Sequence, residues 1–209
     1  MDQDRRRQAE SFLHSGERLI AVCACEPGPG VPSPPESLLA PPEPAGLGQK
    51  IEEKLPRSLH GLFKARTHDS RRSRPAAAAE AADRLPDLAD DLGTRLMHGK
   101  SMEGGWQSSA GQFLISRANA RGSVTDVLVV TDRRWFGLTD VSPLWQSAPV
   151  MKQYWEAPRS AVVALRANPT GLLQKGRMDI EFADLSWVTF LAATPAEATA
   201  FAAAAARFH

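Results

Sequence analysis

A chain of 209 residues with 43% apolar side chains can hold one ordinary domain with an appendage, or two small domains, and can bury a core. Its 25 Lys and Arg against 24 Asp and Glu leave a net charge of +1, so no global field favours nucleic acid and any anion binding must rest on local patches. The two cysteines, Cys23 and Cys25, are too close along one strand to be a disulfide framework, and the charged start Asp2-Gln-Asp-Arg-Arg-Arg7 does not resemble a signal peptide. With no run approaching the roughly 20 apolar residues of a membrane span, the expected setting is the cytoplasm, with attachment to a membrane surface at most.

Residues 4–14 carry a short helical pattern, with Ala9, Phe12 and Leu13 apolar. Gly16 breaks it, and Arg18–Cys25 reads as a first strand, ended by Glu26-Pro-Gly-Pro-Gly30. The stretch 26–48 holds eight prolines and four glycines with few large apolar groups, the composition of a linker or loose loop. From Gln49 the signal changes. Ile51, Leu55, Leu59, Leu62 and Phe63 fall on one helical face, with Pro56 as a kink or second start. Lys50, Lys54, Arg57, Lys64 and Arg66 occupy other positions, and eight basic against three acidic residues give 50–74 a local charge of +5. This segment reads either as a surface for anionic lipid or acidic partners, or as a helix packed on the body with its charges in water; burial is the expected reading. A second stripe, Leu85, Leu88, Leu92 and Leu96, follows among acidic residues that can neutralise the first segment. Trp106–Ser116 fits a short strand or a buried helical turn equally well.

Residues 123–192 are a run of strand patterns bounded by turn formers. Val127–Thr131 and Arg134–Leu138 flank a polar break at Asp132-Arg133, and Gln153–Glu156, Ala161–Arg166, Arg177–Ala183 and Trp187–Ala192 follow. Thr194-Pro-Ala-Glu197 has the spacing of a capped helix start, and the alanine-rich remainder, with Phe201 and Phe208 on one face, predicts a C-terminal helix.

Seven strands followed by one helix is the order of pleckstrin-homology-like (PH-like) folds. Gly16-Glu17-Arg18-Leu-Ile-Ala-Val22, Leu128-Val-Val-Thr-Asp-Arg-Arg134, Trp155-Glu-Ala-Pro-Arg-Ser160 and Ile180-Glu-Phe-Ala-Asp184 followed by Trp187-Val-Thr resemble the bacterial PH-like family. The resemblance covers 11–25 and 124–209, about half the chain. It implies an α+β fold: a seven-stranded antiparallel barrel or sandwich capped by the C-terminal helix, with 11–25 plus 106–209 as the domain. On this reading 26–105 is a Pro-rich loop and helical insertion between the first and second strands. The family commonly has Asp-Gly at the last hairpin; here Leu185 follows Asp184, so a different turn is expected. PH-like folds serve as binding and adaptor modules, some for phosphoinositides and many for proteins. The lipid-binding members use basic residues between the first two strands, a loop that in this chain is the whole insertion, so none of those residues carries over.

The residues supply no recognisable catalytic or metal-ligating pattern. The five histidines lack a second ligand at helical spacing, and no nucleophile elbow, phosphate loop or dinucleotide fingerprint occurs. Asp179 and Glu181 share a strand face, expected to be the solvent face. Arg133 and Arg134 at the hairpin tip are candidates to grip a phosphate or carboxylate, or else a solvated turn paired to Asp132 or Asp126. Trp135, Trp145, Trp155 and Trp187 are read as core. The expectation is therefore a non-catalytic binding or scaffold module without cofactor. A protein partner comes first, anionic membrane second, and nucleic acid is not expected. The candidate contacts are Lys50, Lys54, Arg57, Lys64, Arg66, Arg133 and Arg134.

Overall fold

A computed structural model describes residues 2–41, 100–123, 125–142, 148–168 and 174–207. The helical segments expected between 49 and 96, with Lys50, Lys54, Arg57, Lys64 and Arg66, lie outside the described residues, as does Trp145. The elements are α1 (Asp2–Glu10), β1 (Leu19–Pro27), β2 (Met102–Glu103), α2 (Ser109–Ala120), β3 (Asp126–Thr131), β4 (Arg134–Asp140), β5 (Met151–Pro158), β6 (Val162–Asn168), β7 (Arg177–Phe182), β8 (Trp187–Ala192) and α3 (Pro195–Ala206). None of the described helices is long and apolar enough to cross a membrane.

The architecture is α+β, an antiparallel sheet with the path β5-β4-β3-β1-β8-β7-β6 and β2 added on β8. Each expected strand is present. The sheet also reaches into both ends of the stretch read as an insertion, because β1 continues to Pro27 and Met102 pairs with Val188. β1 joins the two halves: Leu19–Cys25 pair with β3, and Cys25–Pro27 pair with β8.

The strands alternate as period-two burial requires. In β7, Met178, Ile180 and Phe182 are buried while Asp179 and Glu181 face outward, Asp179 bonded to Arg177 and Thr189 and Glu181 to Arg166. β3 and β4 differ, being buried on both faces. On one face Cys23, Cys25, Leu128, Val130 and Trp135 join the main core with Phe113, Phe190 and Phe201. On the other, Val127, Val129, Phe136 and Leu138 are covered by Ala9, Phe12 and Leu13 from the N-terminal segment. Trp135 is fully buried against Phe201, and Trp155 packs on Phe113. Trp187 is half-buried.

The ambiguous stretch after Trp106 is the helix α2. Ser108 caps it, its hydroxyl accepting from the Gly111 N–H, but the decisive contacts come from far along the chain. Asp184 Oδ2 accepts from the Ser109 N–H at 2.7 Å and Ser186 Oγ from the Ala110 N–H at 3.0 Å, so the β7–β8 hairpin satisfies the first amides of the helix. α2 then inserts Phe113 among Tyr154, Trp155, Phe182 and Phe190. A bulge in β5 makes this possible: the register with β4 skips Tyr154, so the adjacent Tyr154 and Trp155 both reach Phe113. Gly137 lies beneath the Tyr154 ring, where any Cβ would collide with it.

The last hairpin closes with the Phe182 N–H donating to Ser186 O and the Leu185 N–H to Phe182 O. Leu185 takes the left-handed conformation itself, φ +66, and is 84% exposed. An L-residue there costs roughly 1–2 kcal/mol that glycine avoids, so Leu185→Gly should raise stability by about 1 kcal/mol in urea denaturation. In the opposite direction, Phe113→Ala should cost about 3–5 kcal/mol in the same assay, since its ring has no solvent exposure and four aromatic neighbours.

Candidate functional site

Three environments in this body have unusual chemistry, and two of them are committed to holding the fold. The first is built on the β3–β4 turn. Thr131 Oγ1 accepts from the Arg133 and Arg134 N–H groups, which turns the chain at Asp132-Arg133 and aims the Arg134 side chain inward. Arg134 Nε donates to Glu17 Oε1 at 3.0 Å, Nη2 to Phe12 O at 2.7 Å and Nη1 to Glu156 Oε2 at 2.6 Å, and the guanidinium lies over the Phe136 ring. Burial alone would raise the Glu17 pKa. Hydrogen bonds from Arg134, the His14 N–H and Thr131 outweigh it and hold the carboxyl at about 2.

The second is buried on the main-core face at the far end of the same hairpin. Asp126 stands opposite Cys25 of β1 and Thr139 of β4. Arg117 of α2 donates to its Oδ2 and Thr139 stands close by, while the nearby Tyr154 hydroxyl has no hydrogen-bond partner among the described residues. Burial pushes Asp126 from 3.8 up to about 6, against the Arg117 charge and hydrogen bond. Burial also raises Cys25 and Tyr154, and the charge of Asp126 raises both further.

The third is open. A groove of about 290 Å³ is lined by Gln3, Arg5 and Arg6 of α1, by every residue from Ile20 to Ala24 of β1, and by Glu197, Ala200 and Phe201 of α3. Its β1 side is lined by apolar residues and Cys23, and its charged groups come from the two helices. Such a volume is at the lower end of small-molecule pockets, roughly 300–1,000 Å³, and among the described residues no buried polar groups converge on it. Arg6 reaches Glu10 across the helix surface at 3.6 Å, and Arg5 has no ion pair among the described residues.

No protein-family model, curated protein or solved structure matches the chain.

Of the two hairpin arginines read as anion contacts, Arg133 is exposed and donates through Nη2 to Gly16 O. Arg134 is 8% exposed and its donors are engaged, so it is a strut rather than a contact. The acids proposed to pair with them pair elsewhere: Asp132 holds Arg18, through its backbone N–H and Nε, and Asp126 holds Arg117. Among the described residues no group of three or more His, Cys, Asp or Glu is placed to hold a metal ion. The groove was not legible in the sequence, because its walls come from both ends of the chain. The one available signal was Arg5-Arg6 on a short helix whose apolar positions are few.

The two buried acids titrate with opposite sign. The folded chain keeps the Asp126 proton up to about pH 6, whereas the unfolded chain releases it near 3.8, so acidification through that window stabilises the fold. Glu17 and Asp184, both held at about 2, contribute stability above their ordinary values that is lost as pH falls towards 2. The melting temperature should therefore rise on acidification from about pH 7, peak near pH 4–5, and then fall. Asp126→Asn should flatten the upper limb, removing at most about 3 kcal/mol of pH dependence; an unchanged limb in a melting series would refute the assignment.

Proposed function

We propose that the chain is a non-catalytic, cytoplasmic PH-like binding module whose ligand is another protein. The observation that carries this reading is the groove beside β1, an open channel along a strand flanked by two helices, with its charge at the rim. That form suits a protein segment better than a small substrate. The strand path β5-β4-β3-β1-β8-β7-β6, with α3 following the last strand, supports the PH-like part of the proposal. The Arg134, Asp126 and Asp184 clusters support the non-catalytic part, since each is spent on joining elements of the fold.

The test pairs two measurements on the full chain. Affinity capture from the native host, followed by reconstitution of the captured protein with the purified chain, should give a stable complex by size-exclusion chromatography. Sedimentation with phosphatidylcholine vesicles, with or without phosphatidylserine, should leave the chain in the supernatant. Salt-sensitive sedimentation with the anionic vesicles, abolished when Lys54, Arg57 and Lys64 are changed together to Ser, would overturn the protein-partner reading in favour of a membrane surface.

A further inference from the structure

The groove has a geometry that identifies the shape of its occupant. Side chains of a strand alternate between its two faces, so a pocket lying on one face touches every second residue. A bulge at Ile20 turns Ile20 and Ala21 to the same side, but the groove then touches Ala21, Val22, Cys23 and Ala24 in succession, which places it along the edge of β1. That edge is the one turned away from β3. β8 covers β1 only from Cys25 to Pro27, so along Leu19–Ala24 the paired neighbour of β1 is β3 alone among the described strands. An open strand edge presents backbone donors and acceptors that an added strand can satisfy.

The walls identify the side chains. α1 lies over the face of β1 that carries Leu19 and Val22, and α3 lies over the opposite face, where Phe201 packs with Ala21 and Cys23. A strand added at the edge would send alternate side chains towards the two helices. One set meets Gln3, Arg5 and Arg6; the other meets Ala200 and Phe201, with Glu197 excluding acidic groups from that side.

Resting on the protein-partner reading above, we propose that an extended segment of the partner, with acidic residues alternating with small apolar ones, adds as a strand to the Leu19–Ala24 edge of β1. The acidic side chains pair with Arg5 and Arg6, the apolar ones pack on Ala200 and Phe201, and main-chain hydrogen bonds to β1 supply the rest. Arg5 carries no ion pair among the described residues, and the Arg6–Glu10 pair is half-exposed, so both guanidinium groups are available at little cost.

The probe is a synthetic heptapeptide of alternating Glu and Val, blocked at both ends, titrated into the isotope-labelled full chain and followed by amide chemical shifts. Saturable shifts at Ile20–Ala24 are expected, together with α1 and the first turns of α3. The same peptide with Lys in place of Glu should leave those amides unmoved. Arg5→Glu with Arg6→Glu should weaken binding at least about tenfold. Ala200→Trp, a change at an exposed helix position, should fill the groove and abolish binding without lowering the melting temperature. Shifts centred away from β1, binding that survives Ala200→Trp, or no saturable binding would each overturn the proposal. The reconstituted partner separates this from the broader reading. A complex that leaves the β1 amides unchanged removes the strand-addition proposal alone, whereas a chain that binds only vesicles removes the module reading itself.

Discussion

A guanidinium placed inside a protein must hand its donors to acceptors, and Arg134 does so across three segments that are distant in sequence. Glu17 and Phe12 O belong to the N-terminal stretch, Arg134 itself opens β4, and Glu156 lies on β5. The pair with Glu17 is buried on both sides, and removing one member of such a pair costs about 3–5 kcal/mol because the other is left charged and alone. Thr131 adds a hydrogen bond to Glu17 Oε1 while shaping the turn, so the same few atoms set the turn, seat residues 12–17 and fix how α1 lies over the sheet. One wall of the groove thus follows directly on the segment that Arg134 seats.

The opposite end of the β3–β4 hairpin is held differently. There Arg117 meets an acid whose pKa burial lifts to about 6, and the neighbouring Tyr154 hydroxyl has no partner among the described residues. α2 is thus fastened at its first turn by Asp184 and Ser186 and near its last by the buried pair of Arg117 with Asp126. Between the two attachments sits Phe113, on which four aromatic rings converge.

What the sequence displayed follows from what each element depends on. The strands from Val127 to Ala192 and the helix from Pro195 were readable because alternation, turn residues and the Thr194 cap are local signals. α2 was not, since the amides of Ser109 and Ala110 find their acceptors 75 and 76 residues away. Arg133 and Arg134 are adjacent and chemically identical, yet one is solvated and the other enclosed. The difference lies in Glu17, which no local pattern links to the hairpin. The groove, assembled from three separated elements, has no contiguous signature at all.

The position of β1 in the sheet also orders events during synthesis. Its partner strands begin at Asp126 and Trp187, so Leu19–Pro27 leave the ribosome roughly 100 residues before either exists. At about 5–20 residues per second, β1 is made several seconds before the first of its partner strands. The hairpins β3–β4 and β7–β8 close locally, whereas β1 pairs across a separation of about 100 residues whose length itself adds little, each doubling costing only about 0.6 kcal/mol. The strand that joins the two halves of the sheet is made well before either of the strands it pairs with, and until they follow its pairing edges have no strand partner in the sheet.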